Sequence, residues 1–184
     1  MKDVKLYWAE GQAMPVDLVI HNAHQLLTVA SPGGAKRGAA IGELGIIENG
    51  AVAVKEGRIA LIGATKEVMS QVMAGREIDA RGKVVAPGFV DPHTHLVFAS
   101  SREDEFEQRI KGATYMEIMA AGGGIMSTVR ATRAATLEEL MAQSRPRLDH
   151  MLAYGTTTAE AKTGYGLNVV DELKMLQAIR ELDD

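Results

Sequence analysis

Two histidines one residue apart, His93 and His95, are the residues of this 184-residue chain best placed to do chemistry. They stand in Val84-Val85-Ala86-Pro87-Gly88-Phe89-Val90-Asp91-Pro92-His93-Thr94-His95-Leu96. That stretch reads as a turn, a short strand buried through Phe89 and Val90, and then the histidine pair. Alternate residues of a strand project to one face, so both imidazoles would leave the strand end together and could grip one ion. Pro92 cannot donate to a ladder, so regular pairing should end where the histidines begin. Neutral imidazole is a common ligand for zinc-type ions; the bland alternative is a pair of surface histidines. Asp91 shares the histidines' face and reads either as a carboxylate supporting a ligand or as a turn carboxylate.

Composition narrows the chemistry. Cysteine is absent, so there is no disulfide framework and no thiolate ligand. A metal would have to be held by imidazole, carboxylate and water, a donor set that suits zinc or iron. A formal net charge of −4 without a basic block argues against nucleic acid and against an anionic membrane surface as partner. No apolar run is long enough to span a bilayer, and residues 1–8 lack the apolar core of a signal peptide. A cytoplasmic home is the expectation. With 46% hydrophobic and 24% charged residues, the chain can bury one good core, or one core and a small second module.

The elements that must position the histidines follow from patterning. Residues 16–20, 26–29, 51–55 and 58–62 read as short strands of a small antiparallel sheet, with Glu56-Gly57 as a hairpin turn. The Gly-rich stretch 31–45 lacks a phosphate-loop pattern and reads as a flexible loop. Residues 65–73 predict a short helix capped by Thr65, and 77–80 and 83–85 predict strand pieces. Beyond His95 the pattern becomes helical: 101–111 is charged and helical or looped, and 115–121 is a helix stopped by glycines at 122, 123 and 124. Thr136-Leu137-Glu138-Glu139 is a capping box opening a helix that should bury Leu137, Leu140, Met141, Leu148, Met151 and Leu152. A β-prone strand at 156–161, a Gly164-Tyr165-Gly166 loop and a last helix capped by Asn168 follow. That helix should turn Leu173, Leu176, Ile179 and Leu182 inward. Strands separated by helices imply a parallel sheet with right-handed crossovers and a site at the strands' carboxyl ends. His93 and His95 end one such strand, and residues 162–165 end the next.

The stretch from Val85 to His95 resembles the first-strand signature of the amidohydrolase superfamily. A narrower resemblance, to the imidazolonepropionase family, rests on several further runs. They are His95-Leu96-Val97-Phe98-Ala99-Ser100-Ser101-Arg102-Glu103, Lys111-Gly112-Ala113-Thr114-Tyr115, the run from Ala120 to Arg133, Tyr154-Gly155-Thr156-Thr157-Thr158 and Lys162-Thr163-Gly164-Tyr165-Gly166-Leu167. The resemblance implies an α/β fold. In it, residues 1–86 form the N-terminal part of a small β-sandwich, and 87–184 begin a (β/α)8 TIM-like barrel with about two βα units. It implies metal-dependent hydrolysis of the cyclic amide of 4-imidazolone-5-propanoate to N-formimidoyl-L-glutamate, in histidine degradation. Another cyclic amidohydrolase or aminohydrolase, or a non-catalytic relative, is the alternative. Family chains are more than twice as long, so the resemblance implies an N-terminal piece, inactive by itself, of a homodimeric enzyme.

Residue by residue, the resemblance makes His93 and His95 ligands of one divalent or trivalent metal ion, zinc or iron, with the general base and remaining ligands beyond residue 184. It makes Arg102 the partner of the propanoate carboxylate, which a guanidinium matches bidentately. Without the family, Arg102 would read as a solvated charge. It makes Tyr165 a substrate contact whose ring covers a flat heterocycle; the alternative is a loop aromatic packed on its own helix. Tyr115, Arg130 and Arg133 flank the glycine run and are candidate pocket residues. Lys162, His21, His24 and His150 carry no metal role.

Overall fold

A computed structural model describes residues 12–31 and 33–183. The chain divides into two compact units at the Pro87–Gly88 bond, and both mix strands with helix.

In the first unit, β1 (Met14–Leu27), β2 (Ile46–Lys55), β3 (Arg58–Ala64), β4 (Val72–Asp79) and β5 (Val84–Val85) form one sheet, with α1 (Thr65–Met69) between β3 and β4. The strand order is β3-β2-β1-β4, with β5 also on β1. The expected antiparallel sheet is in fact mixed, because β4 and β5 run parallel to β1. The two expected strands at 16–20 and 26–29 are one strand. Asn22 at φ 55 and a register shift between Ile20 and Ala23 bend it without breaking it. The hairpin turn is as expected: Glu56 and Gly57 take φ 52 and 70, the handedness that matches strand twist. Thr65 does not cap α1. It is the first helical residue, and its hydroxyl accepts from Asn22 N–H at 2.9 Å and donates to Gly50 O at 3.1 Å. The helix stops at Met69 because Val72 and Met73 pair with Met14 and Pro15. Val19, Ala51, Ala53 and Val68 centre this unit's core.

The second unit holds β6 (Phe89–Thr94), α2 (Glu103–Ile110), α3 (Tyr115–Ala120), α4 (Ile125–Ala134), α5 (Leu137–Ala153), β7 (Thr156–Ala161) and α6 (Val169–Glu181). β6 and β7 pair in parallel, as the alternation of elements predicts. Thr114 and Thr136 each accept from the amide three residues on, while Glu117 and Glu139 reach back to the cap, so both boxes close. Asn168 caps α6 by accepting from Asp171 N–H. Leu96, Val97, Ala99, Leu140, Met175 and Ala178 form the core.

Three expectations about this unit fail. Phe89 and Val90 are 64% and 66% exposed, because β6 pairs with β7 alone and no described residue covers them. Leu173 and Leu176 are exposed; Ile179 and Leu182 pack on the core as expected, joined by Met175 and Ala178. Leu152 of α5 is likewise exposed. Helix α4 was not legible as a helix, since Gly124 at its start offers no side-chain cap.

Two outcomes test this packing. Leu140→Ala should cost about 2–5 kcal/mol of unfolding free energy, and Thr136→Ala about 1 kcal/mol, read by denaturant titration. The third outcome concerns acid. Hydrogen bonds from Asn168 and then Lys174 hold the Asp171 carboxyl below its usual range. Its contribution is therefore fully present above the ordinary aspartate value of about 3.9 and fades as pH falls through the lowered folded value. The stability gap between the parent and Asp171→Asn should close over that window.

Candidate metal centre

The pairing of β6 with β7 brings the two strand ends level, and the Lys162 amide extends it by donating to Thr94 O at 2.7 Å. At that end the rings of His93 and His95 lie 5.5 Å apart, inclined at 62°. Tyr165, delivered by the loop after β7, meets His95 edge-on at 5.3 Å. Phe98 meets Tyr165 at 5.7 Å. The sequence-predicted histidines and tyrosine therefore form one cluster. Asp91 turns one oxygen to the His93 amide at 3.0 Å, which is the turn-carboxylate alternative for that oxygen.

Both glycines flanking Tyr165 suit their places, Gly164 by its backbone conformation and a tight neighbour and Gly166 by close approach. A Cβ at Gly164, whose φ is 136, would stand 3.2 Å from His95 Cε1. A Cβ at Gly166 would stand 2.6 Å from the Glu172 amide nitrogen. The loop between them is held by charged side chains. Glu172 of α6 accepts from the amides of Gly166 at 2.9 Å and Leu167 at 2.7 Å. Although partial burial opposes it, a hydrogen bond from the Thr163 side chain, and then those from the amides of Leu167 and Gly166, hold the Glu172 carboxyl below its usual range. Arg133 donates through Nε to Gly166 O at 2.6 Å. Leu167 is kept at φ 51, a region costly for a branched side chain.

The other candidates lie on the helices that follow β6. Arg102 sits just before α2, largely exposed, with Nη1 3.9 Å from Glu105 Oε2. Glu105 is buried, and its Oε1 accepts from the Gly124 amide at 2.7 Å. Arg130 donates to Gly122 O. Arg130 and Arg133 are thus both engaged on loop carbonyls. Tyr115, first residue of α3, is 58% exposed. Lys162 pairs with Glu160 and, by hydrogen bond and charge, draws that carboxyl below its usual range; His93 adds a smaller pull. Glu105, Glu172, Phe98 and Arg147 were not singled out by sequence: nothing local marks the charges of Glu105 and Arg147 as serving distant backbone, a glutamate in a first helical turn such as Glu172 reads as solvated, and Phe98 reads as core.

Two imidazoles at one strand end suit a cation. His95 buries Nδ1 with no hydrogen-bond partner, and packing against Tyr165 and Gly164 fixes its ring. Among the described residues no group of three or more His, Asp or Glu is arranged to hold a metal ion. The two histidines therefore fit as part of a site, with coordination positions left for water and other donors.

Residues 76–143 match the model of the amidohydrolase family. An imidazolonepropionase of Chloroflexus aggregans is 56% identical over 169 residues, covering 92% of this chain and 40% of that protein. One from Symbiobacterium thermophilum is 53% identical, covering 91% of this chain and again 40% of its own length. Among solved structures, a zinc-bound adenosine deaminase of Xanthomonas campestris superposes with a TM-score of 0.60 at 16% identity, over 92% of this chain and 33% of that one. Guanine deaminase of E. coli gives 0.58 at 20% identity, over 89% and 32%. These two likenesses bear on fold alone. The chain spans about two-fifths of the length of the curated relatives it matches. Over nine-tenths of its own length, half or more of this chain's residues are identical to those of these two imidazolonepropionases.

Proposed function

We propose that this chain supplies two metal ligands and the substrate-facing edge of an imidazolonepropionase site. The reaction is hydrolysis of the ring C–N bond of 4-imidazolone-5-propanoate to N-formimidoyl-L-glutamate, in histidine degradation. The observation that carries this reading is the His93–His95–Tyr165 cluster where β6 and β7 end. In this proposal 1–86 contribute the N-terminal part of a small β-sandwich, and 87–184 contribute the first two βα units of a (β/α)8 barrel. The remaining ligands and the general base come from the part of the relatives' length that this chain does not span.

His93 and His95 hold one zinc or iron ion through neutral imidazole nitrogens. When bound, such an ion supplies Lewis acidity and a water deprotonated near neutral pH. Tyr165 covers one face of the flat ring and donates its hydroxyl to it. Arg102 receives the propanoate carboxylate. Its long 3.9 Å contact to Glu105 leaves most of the guanidinium's donors open for that purpose. Tyr115 lines the same pocket. Arg130 and Arg133 shape it by bracing the glycine run and the Tyr165 loop. The complete protein acts as a cytoplasmic homodimer on this small molecule. No helix among the described residues is long and apolar enough to cross a membrane.

Two measurements test the proposal. His93→Ala and His95→Ala should each weaken zinc binding, in calorimetric titration, by more than the roughly tenfold typical of a lost supporting residue. Equal affinity in parent and variants would remove the ligands. In a protein of the relatives' full length carrying this chain, turnover is followed by loss of the substrate's absorbance. Arg102→Ala should raise KM about 10- to 100-fold, the worth of a charge-assisted pair, with kcat changed far less. An unchanged KM for the carboxylate substrate would point to a cyclic amidohydrolase or aminohydrolase of other specificity.

A further inference from the structure

Directly after His95 the chain leaves the sheet, yet residues 96, 97 and 99 are buried. Backbone groups buried outside a ladder need partners from elsewhere. Here side chains of α4 and α5 supply them. Arg147 Nη1 donates to both Leu96 O and Phe98 O, each at 2.9 Å. Thr132, fully buried, accepts from the Ala99 amide at 3.1 Å, and Gln143 accepts from the Ser100 amide at 2.9 Å. The Arg147 guanidinium carbon also stands over the Phe98 ring, 3.7 Å from its centroid. Phe98 then packs edge-on against Tyr165, Tyr165 against His95, and His95 against His93. One guanidinium thus closes the far end of a line of four rings that begins at the two histidines.

We propose that Arg147 is a positioning residue for this site, fixing Phe98 beneath its guanidinium and, through Phe98 and Tyr165, the orientation of the His95 imidazole. The inference rests on reading His93 and His95 as metal ligands and Tyr165 as a substrate contact. A single nitrogen reaches two carbonyls while the guanidinium carbon stands over a ring. Lysine keeps the charge and the donors but has no plane to lay on Phe98. Arg147→Lys therefore separates orientation from simple charge, and Phe98→Leu removes the ring while leaving the carbonyl bonds in place.

The test uses the whole chain, free of metal and then with Co²⁺. Imidazole carbon–proton resonances of His93 and His95 are assigned through His93→Gln and His95→Gln. Arg147→Lys should shift the His95 resonances, which the Tyr165 ring current sets, and leave those of His21 and His24 in place. Phe98→Leu should shift the same resonances, and the double variant should add little to Phe98→Leu alone, since one residue acts through the other. Co²⁺ affinity should fall about tenfold in each variant. Unmoved His95 resonances in a folded Arg147→Lys protein would overturn the proposal, leaving Arg147 a fold-stabilising residue only. Should Arg147→Lys fail to fold, the Phe98→Leu shift decides the matter by the same criterion. Failure of the ligand assignment has a different signature: Co²⁺ affinity would be indifferent to His93→Gln and His95→Gln, whatever the resonances do.

Discussion

Everything at the candidate centre depends on parallel pairing between β6 and β7. Parallel strands place like ends side by side, so whatever follows each strand is delivered to the same rim. β6 ends in the two histidines and β7 leads to Tyr165, and the bond from the Lys162 amide to Thr94 O locks the two exits together. A slip of one residue in this register would turn alternate side chains to the opposite face and part the imidazoles from the tyrosine. The glycines on either side of Tyr165 follow from the same constraint, since the loop must pass close to both His95 and α6.

The segments carrying chemistry leave the sheet, and their polar backbone is met by ionised side chains. Arg147 serves the carbonyls of 96 and 98, Arg130 that of 122, and Arg133 that of 166. Glu105 serves the amide of 124, and Glu172 those of 166 and 167. Charge-assisted bonds are stronger than neutral ones and tolerate partial exposure, which suits loops that must be firm and yet open on one side. Many of the unit's charges therefore work as internal scaffolding. Among the described residues near the strand ends, Arg102 and Lys162 are the cations paired with carboxylates rather than with backbone.

The sequence carried the local features well. The histidine spacing, the capping box at Thr136, the cap at Asn168, the turn at Glu56-Gly57 and the alternation of strand and helix are each set within a few residues, and each is present. Pairing partners across long separations were not legible. Nothing in Val72–Asp79 says that it runs parallel to β1 rather than antiparallel. Periodicity shows that α6 has apolar stripes, but a stripe is buried only where a neighbour covers it, and Met175 with Ala178 found one while Leu173 with Leu176 did not. The bracing roles of Glu105 and Arg147 were hidden for the same reason, since each serves backbone remote in sequence; Glu172 serves amides only five and six residues away, but charge in a helix ordinarily means solvent.

Gly164 carries a consequence for how this protein can change. A Cβ there would crowd the His95 ring at 3.2 Å, and the backbone sits where chiral residues are strained whatever the space around them. The two obstacles are independent: removing the imidazole would relieve the crowding and leave the strain. A side chain at 164 would therefore press on the His95 ring and on the turn that delivers Tyr165 at once, so one small substitution away from the histidines can disturb both partners of the cluster.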